Sequence, residues 1–199
     1  MSRMAAKDRR EELVAAALRV MVREGVAKTT TRAVVSEANM TLGTFHYCFD
    51  SREELLQEVI TRITDRTVTE ARKVFEGNGD LSTRIFKSLS AFWEGVELSP
   101  GDHQVGYELT HYALRQAGFE ELARRQYQHY LEVHQELLVD AAENAGIQWA
   151  VPVPVLAGYL NAVLDGVTLR WLVDRDGEQS RAVLRLTGEH LTSLAQHPA

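Results

Sequence analysis

The stretch "TTTRAVVSEANMTLGTFHYCFDSREEL", residues 29–55, holds two short helical periods joined by a turn of about four residues, and it constrains this chain more than any other feature. One of Thr29 to Thr31 caps the first period by accepting from freed backbone amides. Val34, Val35 and Ala38 form its inner face. Asn39 ends it, because asparagine is second only to glycine in the left-handed conformation that a sharp helix exit needs. Met40 plugs the turn. Thr41 is the N-cap of a second short helix, Leu42 to Phe49, in which Phe45 and Phe49 stand at i, i+4 and face inward. Leu42, Thr44, His46 and Tyr47 are left outward or on the flanks. Ser51 and Glu54 form an S-x-x-E capping box, which opens a long helix that stops at "GNGD".

Upstream, "DRREELVAAALRVMVREG" places Leu13, Ala16, Ala17, Val20 and Met21 on one helical face and stops at Gly25. Three helices with a sharp turn before the last make a helix-turn-helix arrangement. In that arrangement the first helix of the pair crosses a DNA backbone and the second enters the major groove. Gly43 removes a side chain where DNA presses close. The amides at the helix start, behind Thr41, favour a phosphate oxygen. The net charge of −6 is unevenly spread. Residues 1–52 carry nine Lys/Arg and six Asp/Glu, a net +3, and the remainder carries 13 and 22, a net −9. A basic head on an acidic body suits a division of labour between approaching phosphates and staying soluble.

The rest reads as helix, with segments near 80–97, 103–117, 119–145, 154–174 and 179–195 and no run of alternating strand residues. The expected fold is all-α, with about nine helices and no sheet. A three-helix head spans residues 1–52 and a larger helical body spans 53–199. Hydrophobic residues make up 45% of the chain, enough for a core. The single cysteine, Cys48, excludes an internal disulfide and four-cysteine zinc sites, and it points to the cytoplasm. The N-terminus lacks the apolar run of a secretory signal. "WAVPVPVLAGYLNAVLDGV" carries two prolines, Asn161 and Asp165, so it reads as a buried core helix and no membrane partner is expected.

"GVAKTTTRAVVSEANMTLGTFHYCFDSREELL" resembles the DNA-binding signature of TetR-family transcriptional regulators over roughly residues 10–56. Gly25, Thr29, Thr30, Arg32, Val34, Ala38, Thr41, Gly43, Tyr47, Phe49, Ser51, Glu53 and Leu55 fall on family positions. The chain departs from the pattern at Asn39 for glycine, Val35 for alanine, Leu42 for a frequent Lys or Arg, Cys48 for a frequent His, and Arg52 for Lys. The resemblance, with the helix geometry, implies that Thr29, Thr30, Arg32, Tyr47 and Arg52 hold phosphates. Leu42, Thr44 and His46 would meet bases, with Leu42 and the threonine methyls suited to thymine methyls. Simple packing of His46 and Tyr47 on the long helix is the competing reading.

The resemblance further implies a body that encloses a small-molecule pocket and forms a dimer. Phe92, Trp93, Tyr107, His111, Tyr112, Tyr130, His134, Tyr159 and Asp165 are the expected ligand-binding residues, since aromatic walls with a few polar tips suit a largely apolar or aromatic effector. Tyr127 and Trp171 belong to the same aromatic set. Tyr107, His111 and Leu114 share a face that would wall the pocket. Asp165 would meet a cationic or hydroxylated ligand, or pair with a core arginine. Gly158, Ala162 and Gly166 form a small-residue ridge, and Leu184, Thr187, Leu191 and Leu194 follow 3–4 spacing. These two C-terminal helices would pair with their copies in a homodimer. Two heads about 34 Å apart would then match successive major grooves of a palindromic operator. The expected function is a ligand-responsive regulator, a repressor released from double-stranded DNA by its effector.

Two alternatives stay open. One is an all-helical enzyme using His111, Glu108 or Asp165 as acid or base, although no nucleophile with a spaced base is present. The other is a DNA-binding module without an effector. No catalytic residue, cofactor or metal is assigned: His129 and His134 diverge on a helix, and no H-E-x-x-H occurs.

Overall fold

The computed structural model of the chain describes residues 5–75 and 79–197, with 66–75 as backbone. The fold is all-α, as expected, with nine α-helices among the described residues. Helix α1 spans Ala6–Glu24 and buries Leu13, Val14, Ala16, Ala17, Val20 and Met21. It ends at Gly25, whose φ of +85° favours glycine. A 3-10 turn, Val26–Lys28, leads to α2, Thr31–Glu37, where the Thr30 hydroxyl accepts from Ala33 N–H at 3.1 Å. Asn39 takes the left-handed conformation at φ +52°. Helix α3, Leu42–Cys48, starts on Thr41, whose hydroxyl accepts from Thr44 N–H at 3.2 Å.

Helix α4, Arg52–Phe75, begins behind Ser51, whose hydroxyl accepts from Glu54 N–H at 3.1 Å. The return bond of this capping box is offset by one residue: Glu54 Oε2 accepts from Asp50 N–H at 2.8 Å rather than from the cap residue itself. The remaining helices are α5, Leu81–Leu98, α6, Pro100–Arg115, α7, Glu120–Ala145, α8, Val153–Asp174, and α9, Gly177–Ser193. Asp80 and Asp176 cap α5 and α9 through their carboxylates.

One sheet is present where none was expected. Strands β1, Gln148–Trp149, and β2, Ala195–Gln196, pair antiparallel with Trp149 opposite Ala195. Two residues per strand are too few for an alternating pattern to register in a sequence. Among the described residues, no helix is long and apolar enough to cross a membrane.

The chain forms two compact units. The first comprises Met1–Ile63 with Gly101–Gln126, the second Thr64–Pro100 with Tyr127–Ala199. In the first, Leu13, Ala17, Met21, Val34, Phe45, Phe49, Leu56 and Ile60 share one core with Val105, Leu109 and Ala113 of α6. The buried stripe of α6 is therefore Val105–Leu109–Ala113, at i, i+4, i+8, and not the expected face of Tyr107, His111 and Leu114. His111 and Leu114 lie exposed, because the helix turns its small and branched residues to the core.

In the second unit, Ile85, Leu89, Trp93 and Val96 of α5 pack with Leu156, Leu160, Leu164 and Trp171 of α8 and Leu184 and Leu191 of α9. Leu184, Thr187 and Leu191 are thus buried within the chain. The faces that α8 and α9 leave exposed are Val155, Ala162, Gly166, Leu169 and Val173 on one and Ala182 and Leu186 on the other.

Candidate nucleic-acid interface and effector cluster

The short helix α3 divides its side chains between two tasks. Phe45 and Phe49 are sealed in the head core with ring centroids 5.5 Å apart. Leu42 and Tyr47, 43% and 70% exposed, stand outside together with Thr41, Gly43 and His46. Thr30 and Arg32, at the start of α2, are exposed as well, and Thr44 is half-buried beside its cap.

Two of the ten expected DNA-binding residues have their polar groups engaged within the protein. Thr29 is 2% exposed, and its hydroxyl donates to Gly25 O at 2.9 Å. Arg52 donates to the Tyr112 hydroxyl at 2.7 Å and to Val26 O at 3.1 Å, with its guanidinium 5.2 Å from the Tyr112 ring centre. Arg52 thus ties the first turn of α4 to α6 and to the 3-10 turn. In this structure its donors Nη1 and Nη2 are thus engaged within the protein.

Arg10, Arg19 and Arg23 are also engaged with partners inside the protein. Arg10 donates to Cys48 O at the end of α3 and to Glu54 and Glu58 of α4 at 2.7 and 2.9 Å, and it lies 4.3 Å from the Phe49 ring centre. Arg19 and Arg23 both grip Glu37, with bonds of 2.9 and 3.0 Å. Those bonds, Arg19's first, hold the Glu37 carboxyl below the usual carboxylate range. Lys28 and Arg32 remain exposed beside the start of α2, and Arg9 lies 5.5 Å from the Tyr47 ring centre. Lys28 immediately precedes the threonines of the α2 cap.

The expected effector residues divide between the units. Tyr107, His111 and Tyr112 belong to the first, where Tyr112 packs edge-on against Phe119 at 5.5 Å and accepts from Arg52. The other six belong to the second. Trp93 is fully buried against Trp171, with ring centres 5.4 Å apart, and Phe92 packs on the same core. Tyr159 meets His190 Nδ1 at 3.1 Å on the α8–α9 side.

Tyr130, His134 and Asp165 lie on α7 and α8, with Tyr127 and Asn161 among them. Asn161 Nδ2 donates to Asp165 Oδ2 at 3.3 Å, and the Tyr127 hydroxyl is hydrogen-bonded to the same carboxyl. Burial raises the Asp165 carboxyl's pKa against the pull of these two donors. Burial, and then the Asp165 charge, push the Tyr127 phenol up to about 12. Burial lowers His134 to about 4, which leaves its ring neutral near pH 7.

A three-helix head with an outward short helix behind a tight turn defines a helix-turn-helix DNA-binding protein with a helical body. The family model described as "Bacterial regulatory proteins, tetR family" matches residues 13–59, and that described as "BetI-type transcriptional repressor, C-terminal" matches residues 83–196. The chain belongs to the TetR family of bacterial transcriptional regulators. It is 27% identical over 172 residues to the HTH-type nicotine-responsive transcriptional repressor HdnoR of Paenarthrobacter nicotinovorans, covering 86% of this chain and 88% of that protein. Among solved structures, a transcriptional regulator from Rhodococcus sp. Rha1 superposes with a TM-score of 0.72 at 19% identity, over 96% of this chain and 99% of the other. A TetR transcription regulator from Haloarcula marismortui gives 0.73 at 18%, over 96% and 100%.

Membership of this family sets aside the enzymatic alternative for His111, Glu108 and Asp165. Glu108 is in any case engaged in the head unit, where its carboxylate accepts from Val26 N–H at 3.1 Å.

Proposed function

We propose that this DNA-binding regulator is a repressor whose head reads a palindromic operator and releases it when the body binds a small, largely apolar or aromatic effector. The observation that carries the reading is the exposure of Leu42, His46 and Tyr47 on a helix whose Phe45 and Phe49 are sealed inside. Leu42, Thr44 and His46 meet base edges. Thr30, Arg32, Tyr47 and Lys28 hold phosphates, while Thr41 and Gly43 set the closeness of approach. Residues 1–52 read DNA and 53–199 sense the effector and dimerise. The dimer forms through α8 and α9, on the exposed face of Ala162, Gly166, Leu169, Val173 and Leu186. A Cβ at Gly158 or Gly166 would meet nothing within 4 Å, so a second copy's helix has room there.

The relative's response to nicotine, at 27% identity over most of both chains, makes nicotine the first compound to try as a release agent. The experiment is a gel shift of the full chain on the DNA upstream of its own gene, across a salt series and with nicotine added. Salt-sensitive, sequence-preferring binding supports the reading. Binding that ignores sequence at every salt concentration sinks it.

A further inference from the structure

We propose that the groove between α5 and α9 is a binding site for a small aryl carboxylate. Its lining includes no residue of α7 or α8, so it is separate from the cluster around Asp165.

Two antiparallel helices frame the groove. Near one end Gly188 of α9 packs on Phe86 of α5, where an added Cβ would lie 2.9 Å from the ring. Near the other end Arg181 Nη2 donates to both carboxylate oxygens of Glu97, at 2.7 Å each. Along the stretch from one fastening to the other the helices enclose a cavity of about 270 Å³. Phe86, Leu89, Trp93 and Leu184 give it an apolar wall, and Ser90, Glu94 and Arg185 form an exposed polar edge. On α5, Phe86, Ser90, Trp93 and Glu97 stand at i, i+4, i+7 and i+11, which is one helical face. A cavity just under the ~300 Å³ at which small-molecule sites begin suits a guest with a single ring.

Two lining groups call for an acceptor. Trp93 is 2% exposed, and its indole Nε1–H has no hydrogen-bond partner among the described residues. No other lining residue keeps a buried polar side-chain atom in that state. An indole N–H only donates, so whatever completes it must bring an acceptor. Arg185, one turn beyond Arg181, has no hydrogen bond or ion pair among the described residues. Its guanidinium is also a donor only, and its fork matches a carboxylate through two parallel bonds. Arg181 is already spent on Glu97, and that pairing offsets the Glu97 charge. An ammonium would bring donors to a donor and meet Arg185 as a like charge. A purely apolar guest would leave the Trp93 N–H as it is. A carboxylate answers both groups, and a ring behind it covers Phe86, Leu89 and Leu184. Glu94 is the opposing charge. It is exposed, so its carboxylate stays hydrated and tempers the affinity without closing the site.

The test uses the full chain without DNA and two acids, phenylacetate and 3-phenylpropionate. Phenylacetamide and phenethylamine keep the ring and change the charge. Binding is read by tryptophan fluorescence and thermal shift at probe concentrations up to the millimolar range. The expected result is that the acids bind, the amide binds at least about tenfold more weakly and the amine does not bind. Arg185→Gln should weaken the acids by at least about tenfold, as for a lost hydrogen bond to a charged group. Arg185 is exposed and unbonded among the described residues, so this variant keeps the fold. Trp93→Phe, which keeps a ring but has no N–H, should weaken the acids several-fold and remove most of the fluorescence change. Glu94→Gln should tighten them several-fold. Arg170→Gln, at an exposed arginine of α8 outside the groove, should bind them as the wild type does. Binding of neither acid, equal binding of all four probes, or preference for the amide or the amine overturns the proposal. So does an Arg185→Gln protein that holds the acids as tightly as wild type, a Glu94→Gln protein that holds them no more tightly, or an Arg170→Gln protein that loses them. Failure of the acids to bind removes this site and leaves the regulator reading standing. Loss of sequence-preferring DNA binding in the gel shift removes the regulator reading and leaves the site.

Discussion

The Glu108 carboxylate of α6 accepts the backbone N–H of Val26 at 3.1 Å. The carbonyl of the same residue accepts from Arg52 at 3.1 Å, so side chains from α6 and α4 hold both polar groups of a residue that is 2% exposed. Removing one partner leaves a buried group unsatisfied, at a cost of about 1–3 kcal/mol. Glu108→Ala should therefore lower the urea midpoint of unfolding by that amount. Glu108→Gln, which keeps an acceptor oxygen, should lose less. An unchanged midpoint in Glu108→Ala would show that water replaces the carboxylate.

Arg32 and Arg52 should part company in DNA binding. Arg32 is exposed at the start of α2, whereas Arg52 is bonded to Tyr112 and Val26. Each phosphate contact contributes about 0.9 to the slope of log affinity against log salt. Arg32→Ala should reduce that slope by about one contact and weaken all sequences alike, and Tyr47→Ala should also weaken them alike. Arg52→Ala should leave the slope as it is and lower stability. Leu42→Ala should change which sequence is preferred. Competition gel shifts at several salt concentrations separate the four outcomes.

Local chemistry made the head legible before its structure was known. Thr30, Thr41 and Ser51 act on amides within three residues of themselves, and the φ of +52° falls at Asn39, a residue type that tolerates the left-handed conformation. The inward pair Phe45 and Phe49 follows from helical spacing alone. The bond of Arg52 to Tyr112 was not legible, because its partner lies 60 residues away and no local rule connects the two. On α6, two apolar stripes compete in the sequence, and only the head core decides for Val105, Leu109 and Ala113. The buried stripe of α9 was read correctly as a stripe, but spacing does not say whether a helix of the same chain or of a second copy covers it. Asp165 stood out as polar on an apolar helix. Its neighbours Tyr127 and Asn161 complete the cluster only once α7 is folded beside it.

Gly188 lets α9 approach α5. A Cβ at this position would lie 2.9 Å from Cε1 of Phe86, and ring atoms held in a helix–helix contact do not yield cheaply. Gly188→Ala should destabilise the protein by roughly 1–3 kcal/mol, the usual cost of overpacking. Combining it with Phe86→Leu should recover part of the loss, since the two substitutions act on one contact and are not additive. Additive losses in thermal unfolding would place the strain elsewhere.

His134 should make stability depend on pH in a defined window. Its folded pKa is lowered by burial to about 4, from an ordinary value of 6.5. Between those values the unfolded chain binds a proton that the folded chain does not, so stability falls as pH drops from 6.5 towards 4 and levels off below that. At 1.36 kcal/mol for each pKa unit, the loss across the window is roughly 3 kcal/mol. Glu37 adds to the acid side of the curve with the opposite shift: its folded pKa is depressed, so its contribution is present above the ordinary carboxylate pKa and is lost as pH falls through the lower folded value. The two are separable by mutation. His134→Gln should flatten the stability curve between pH 6.5 and 4 while leaving the fall at lower pH, and Glu37→Gln should leave the upper window as it is and trim only its own share of the low-pH fall, to which the depressed carboxyls of Glu54, Asp80, Glu121 and Asp174 also contribute. Urea titrations of the three proteins at half-unit steps of pH read the difference directly, and a His134→Gln curve parallel to that of the wild type through the upper window would mean that His134 is protonated in the folded protein.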